Sequence, residues 1–212
     1  MDANIAMFQP LHHHLIHARL DDLRPTQITV GFAEVEAKRR EWRLLKKKER
    51  KRLVAQHWFP SVIGPHGGHY IVDHHHLGLA LHLERQGKVW LLILRDLSMI
   101  DGRTFWRVME YHQWAHPYDE RGSRTTYDEI PRTVAELRDD PYRSLSGLVR
   151  RAGGYAKDVT PFAEFLWADF FRTRITKAEL MPGITRCVRR CVTLARSQHA
   201  RYLPGWTGSA AS

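Results

Sequence analysis

Cysteine is scarce in this chain: Cys187 and Cys191 are the only two in 212 residues. Four residues apart on a predicted helix, they share a face but are poorly placed for a disulfide, so a reduced, cytoplasmic setting is expected. As metal ligands they would need two more donors, and no Cys-x-x-Cys or His-x-x-x-His pattern lies near them. Long apolar runs are lacking too. The longest, Val89-Trp90-Leu91-Leu92-Ile93-Leu94, is strand-sized, far short of the roughly 20 residues that span a bilayer. The N-terminus shows no basic-then-apolar secretory pattern, and no membrane partner is expected. Acids are the third shortage: 23 Asp and Glu stand against 33 Lys and Arg, a net charge of +10. That surplus suits an anionic partner, whether nucleotide, nucleic acid or acidic lipid, without choosing among them.

What is plentiful is apolar and aromatic residues, and histidine. A hydrophobic content of 43% with 7 Trp, 7 Tyr and 8 Phe describes a folded chain, one compact domain or a small domain with a helical extension. Of the 14 histidines, His66, His69, His74, His75 and His76 crowd around Asp73 in Gly64-Pro65-His66-Gly67-Gly68-His69-Tyr70-Ile71-Val72-Asp73-His74-His75-His76-Leu77. This reads as a glycine turn, a short strand ending in an acid, and a helix opened by three histidines. A strand running into a helix N-terminus makes an anion site, because unpaired N–H groups and the helix dipole point outward there. Residues 64–81 are therefore the first candidate site, with His66, Gly67, Gly68, His69, Asp73 and His74 as ligand-binding residues. Two other readings stay open: a metal site from His69, Asp73 and one triplet histidine, or histidines that merely cap the helix.

Around this stretch the chain divides into a leading segment (1–22) with His12, His13, His14 and His17, expected to be solvated or loosely docked, an N-terminal domain (23–115), a helical part packed on it (116–203) and a flexible tail (204–212). Residues 24–31 read as one strand with a glycine stop. Residues 32–54 read as one basic helix, with Val35, Trp42, Leu45 and Leu53 as its buried stripe. Its cations from Lys38 to Arg52 either face a nucleic acid or form a solvated face balanced by Glu41 and Glu49. Strands at 61–64 and 69–73 flank the turn, a helix covers 74–85 up to Gly87, and 89–94 suits a strand buried on both faces. Helices are expected over 102–115, from Pro131, and over 144–152, 161–173 and 183–201.

Arg24-Pro25-Thr26-Gln27-Ile28-Thr29-Val30-Gly31, Tyr70-Ile71-Val72-Asp73-His74-His75-His76 and the order of elements between them resemble the ParB/sulfiredoxin superfamily. More narrowly they are similar to the ParB-like nucleases, as are His116-Pro117-Tyr118-Asp119, Asp140-Pro141-Tyr142-Arg143-Ser144-Leu145 and Ala152-Gly153-Gly154-Tyr155-Ala156-Lys157. The resemblance implies an α+β fold, a ParB/sulfiredoxin-like N-terminal domain with a mainly helical C-terminal half. It also implies ATP or another nucleotide with Mg²⁺ at the residues matching Asp-Gly-His-His-Arg. Asp73, His75 and His76 fall on that pattern, while His74 replaces its glycine and Leu77 its arginine, the bidentate phosphate clamp. Lys38 or Lys157 could compensate. The sulfiredoxin cysteine is absent, and no acidic two-metal constellation of a phosphodiester-cutting enzyme is visible.

The chemistry expected is phosphoryl transfer or hydrolysis on a nucleotide or other phosphorylated small molecule. Glu34 or Glu36 would act as base, His75 and His76 would steady developing charge, and Asp73 would stand at the phosphate or its metal. Gly31, Lys38, Asp96 and Lys157 complete the expected binding set; Asp96 and Ser98 end a strand, where ligands collect. Tyr118, Asp119, Tyr142, Arg143 and Ser144 are noted as polar residues in apolar company. The alternative is a DNA-binding protein or nuclease using the basic helix over residues 38–52.

Overall fold

The apolar run near residue 90 becomes β6 (Lys88–Asp96), and the main sheet is built around it. The structure, a computed structural model, describes residues 14–208; His12 and His13 lie outside the described residues. β1 (His14–Arg19) pairs antiparallel with one side of β6, and β4 (Phe59–Ile63) pairs parallel with the other. β5 (His69–Ile71) and β2 (Leu23–Arg24) follow, giving the order β1-β6-β4-β5-β2. Two expectations change here. Residues 14–19 are a paired strand rather than a loose leader, with the His17 ring tilted against that of Trp90 at 3.5 Å between ring centroids. And β6 is fully buried on one face only: Val89, Leu91 and Ile93 are buried, while Trp90, Leu92 and Leu94 are half-buried, the alternation of a pleated strand.

Residues 24–31 do not make one strand. Pro25 has no N–H to offer a ladder, and the chain divides around it. Leu23 and Arg24 join the main sheet, whereas β3 (Thr29–Val30) pairs in parallel with β7 (Arg138–Asp139) in a separate two-stranded sheet. The basic helix is also two elements, α1 (Phe32–Leu44) and α2 (Lys47–Gln56). No glycine or proline marks the break. Arg50 reaches back instead, donating from Nε to the Trp42 carbonyl at 3.1 Å and from Nη2 to the Arg43 carbonyl at 3.2 Å. It thereby satisfies acceptors that a continuous helix would have used.

α1 and α3 (His75–Leu83) cover one face of the sheet through Val35, Trp42, Leu79 and Leu81 against Phe59, Ile71 and Leu91. α4 (Gly102–Tyr111), capped by Asp101, covers part of the other through Phe105 and Met109 against Val62 and Tyr70. Packing does not change at residue 115 as expected. Val134 and Leu137 return to the first core, and Pro131 precedes only a single 3-10 turn, Val134–Glu136. The second core belongs to α5 (Pro141–Arg151), α6 (Ala163–Arg172), α7 (Lys177–Leu180) and α8 (Val188–Arg196), around Tyr142, Leu145, Trp167, Phe171 and Cys191. The helix expected over 183–201 is α only across α8, with 3-10 turns on either side.

The tail is docked through residue 206. Trp167 Nε1 donates to the Pro204 carbonyl at 2.8 Å, Ala156 N to the Gly205 carbonyl at 2.8 Å, and Trp206 Nε1 to the Ser197 carbonyl at 3.1 Å. The whole is the α+β architecture expected, with a mainly helical second half. Cys187 and Cys191 are free thiols, and burial pushes that of Cys191 up to about 12. Among the described residues no helix is long and apolar enough to cross a membrane.

Candidate functional site

β5 runs out at Ile71, and the next residues turn sharply into α3. Asp73 Oδ1 accepts from His74 N at 2.6 Å, and His74 takes a left-handed conformation, φ 66° and ψ 22°. Glycine meets that demand without the roughly 1–2 kcal/mol that a Cβ costs; histidine tolerates it better than most residues. His74 remains partly exposed, its ring edge-on to Phe59. No side chain among the described residues caps α3, and its first turn lines an open cleft toward which the unpaired N–H groups are free to donate.

His75 and His76 point back into the protein. His75 is buried, and its Nε2 accepts from Thr26 N at 3.1 Å. His76 Nε2 accepts from Gly31 N at 2.9 Å. Burial pushes both imidazoles down to about 3, with the Arg143 charge adding to the effect at His76. Both rings are therefore neutral near pH 7 and receive hydrogen bonds at Nε2, tying the β2–β3 connection and the start of α1 to α3. Glu34 Oε2 lies 3.9 Å from His76 Nε2, but with His76 neutral this is proximity rather than an ion pair. The expected use of these two nitrogens to steady an anion does not fit a lone pair already engaged by a backbone N–H.

The start of α1 is likewise closed. Gly31 N goes to His76, Phe32 N to Asp139 Oδ1 at 2.8 Å and Ala33 N to Ser144 Oγ at 3.1 Å. Gly31 is a packing residue, since a Cβ there would stand 2.7 Å from Ser144 N. Of the two candidate bases only Glu34 faces the open space, with Lys38 Nζ at 3.8 Å. Glu36 turns outward to Arg39 Nη1 at 2.5 Å.

Opposite stand α5, α6 and the loop between them, enclosing with α1 and α3 a cleft of about 620 Å³. Arg143 dominates its wall. Only 7% exposed, its guanidinium lies 3.7 Å over the Phe165 ring, and Nη2 has only a long contact, 3.5 Å, to Glu164 Oε2. Its Nε has no hydrogen-bond partner among the described residues. A buried guanidinium with unused donors is costly to keep; burial holds its pKa below the usual arginine value. Arg150, one heptad on and hence on the same helix face, lines the cleft with Lys38, Lys157, Asp158 and the aromatic side chains of Trp114 and Phe162.

The remaining expected residues lie elsewhere. Because β5 runs antiparallel to β4, the turn at residues 64–69 sits at the opposite end of the sheet from Asp73. The chain from His69 to Asp73 spans about 13 Å. His66, Gly67, Gly68 and His69 do not line the cleft. Asp96 falls at the turn's end, opposite Ile63, where its Oδ1 accepts from Ser98 N at 2.9 Å. The strand-end rule misplaces it because the cleft opens beside the C-terminal end of β5, not of β6. The metal set of His69, Asp73 and a triplet histidine is not assembled, and no group of three such donors converges among the described residues. Asp73, His74 and Lys157 all line the cleft. Arg150 and Glu164 were not foreseen; the only sequence signal was the seven-residue spacing of Arg143 and Arg150.

A family described as "Putative ParB-like nuclease" matches residues 16–173, a span that holds both walls of the cleft. Among solved structures, protein Atu1540 from Agrobacterium tumefaciens is similar, with 42% sequence identity and a TM-score of 0.85 over 93% of this chain and 100% of that one. No curated protein matches.

Proposed function

The chain belongs to the ParB-like nuclease family, and from that premise we propose that its cleft binds the phosphate of a nucleotide or another phosphorylated small molecule. The observation that carries the reading is Arg143: a buried cation whose Nε lacks a partner among the described residues and whose Nη2 has only a long one, lining the cleft with the uncapped N-terminus of α3. An anion placed between them receives both the guanidinium and the first-turn N–H groups of α3. Arg143 thus supplies from α5 the fork that Leu77 cannot. Lys38 and Lys157 add charge from either side.

Phosphoryl transfer or hydrolysis is the reaction class. Glu34 is the base, the one acid of α1 that faces the cleft, and takes the proton of a hydroxyl or water beside the bound phosphate. A nucleotide brings Mg²⁺ with it, and Asp73, an exposed carboxylate lining the cleft, would hold one position on that ion.

The test is a thermal-shift screen of ATP, ADP, CTP and GTP with Mg²⁺ against the wild type and R143Q. A ligand at 100 times its Kd adds about 2.7 kcal/mol of apparent stability. The shift is expected in the wild type and not in a folded R143Q. No shift with any nucleotide, or an equal shift in both proteins, sinks the reading.

A second reading rests on α2. It buries no residue and carries Lys47, Lys48, Arg50, Lys51 and Arg52, which suits a duplex phosphate backbone. Binding of a short DNA duplex would then weaken with salt at a log–log slope of about −0.9 per phosphate contacted. K47Q/K48Q/K51Q would flatten that slope, whereas DNA binding insensitive to salt and to these changes removes this reading.

A further inference from the structure

We infer that Glu164 is the cleft's resident anion, a built-in competitor that an incoming phosphate must displace from Arg143. The inference rests on the anion reading of the cleft given above and deepens it by naming the residue that sets affinity. Glu164 Oε1 lies 3.0 Å from Arg150 Nη1 while Oε2 lies 3.5 Å from Arg143 Nη2. The strong contact is therefore to Arg150, and the weak one to the buried guanidinium. The two arginines differ in access as well. The Arg143 side chain is 6% exposed against 22% for Arg150, and Glu164 itself is 27% exposed. The carboxylate has room to move, and it has somewhere to go.

The surroundings fix the rest of Glu164. Its carbonyl accepts from Ser146 Oγ at 3.2 Å, and that hydroxyl is also bonded to Tyr155 OH at 2.7 Å. The backbone is thus held to α5 while the carboxylate lies over the cleft. With Glu164 near Arg143, part of the guanidinium's charge is already answered, which limits the cost of burying it without a ligand. A phosphate brings more charge and more acceptor oxygens than one carboxylate, and it takes over Arg143 while Glu164 withdraws to Arg150 alone. The residue lowers the affinity for every anion, and by more the greater the anion's charge.

The test is titration of inorganic phosphate and pyrophosphate at pH 8 into the wild type and E164Q, followed by calorimetry and by the NMR signal of the Arg143 Nε–H. Removing a like charge beside the bound anion is expected to tighten phosphate binding about tenfold, equivalent to 1.4 kcal/mol, and to tighten pyrophosphate binding further. The Arg143 Nε–H signal is expected to shift on addition of phosphate in both proteins. E164Q without phosphate should melt lower than the wild type and gain more on its addition, a pattern that a merely structural role would not give. Should E164Q fail to fold, E164D keeps the charge but shortens the reach, and is expected to bind phosphate more tightly than the wild type. If the wild type binds and neither variant binds more tightly, the role of Glu164 is overturned while the anion cleft stands. If neither phosphate nor pyrophosphate binds any of the proteins, the anion reading itself falls.

Discussion

His75 and His76 each receive a backbone N–H at Nε2, and burial keeps both rings neutral down to about pH 3. Their replacement is therefore a stability experiment before it is a catalytic one. H75A leaves Thr26 N unpaired beside a small void and is expected to lose about 2–4 kcal/mol in urea denaturation. An unchanged unfolding midpoint would show that the ring holds nothing. The same burial links folding to pH. In the unfolded chain these imidazoles protonate near 6.5, so between about 3 and 6.5 the unfolded state binds more protons. Stability is then full above pH 6.5 and declines as the pH falls, by up to about 1.4 kcal/mol per pH unit for each histidine. His116, pushed by burial to about 3 as well, adds to the slope. Urea titrations at pH 7, 5.5 and 4.5 measure it, and equal stabilities would contradict the buried neutral rings. At this scale the sequence located the histidine cluster but not its orientation. Which face of a helix start looks inward depends on what packs there, here Thr26 from the β2–β3 connection and Gly31 at the start of α1.

Gly31 shows how two elements meet. A methyl group there would stand 2.7 Å from Ser144 N and 2.9 Å from its Cα, all backbone, so α1 would have to back away from α5. G31A is expected to cost about 1–3 kcal/mol, typical of overpacking, and to weaken phosphate binding, since Lys38 and Arg143 ride on the two helices being separated. Wild-type stability in G31A would mean that the contact is slack. Periodicity made most elements legible: the strand near residue 90, the helix after Asp73 and the amphipathic α4 and α5 all stand close to where the pattern puts them. The break between α1 and α2 was not legible, because its cause is a side chain of the second helix capping the first. β3 and β7 were hidden for a similar reason, since each two-residue strand exists only through a partner about a hundred residues away.

Across the molecule, the cleft joins the two halves of the chain: Asp73 to Leu77 from one core, Arg143 and Glu164 from the other. No motif spacing could announce a site whose walls lie some 70 residues apart in sequence, although the resemblance covered both. The tail takes part as well. Pro204, Gly205 and Trp206 hold Trp167, Ala156 and Ser197, and Ala156 precedes Lys157 at the cleft. A chain ending at Leu203 is expected to lose about 2 kcal/mol and to bind phosphate less tightly than the full chain. Undiminished affinity would show that the loop needs no such anchor. The glycine turn has a different use. It lies at the far end of the sheet from the cleft, its His66 exposed and its neighbour Gly67 facing open space. With the half-buried Cys187 changed to serine and Cys191 protected in its core, a thiol placed at residue 66 could be tethered to a sensor surface, leaving every immobilised molecule with its cleft turned to the solution.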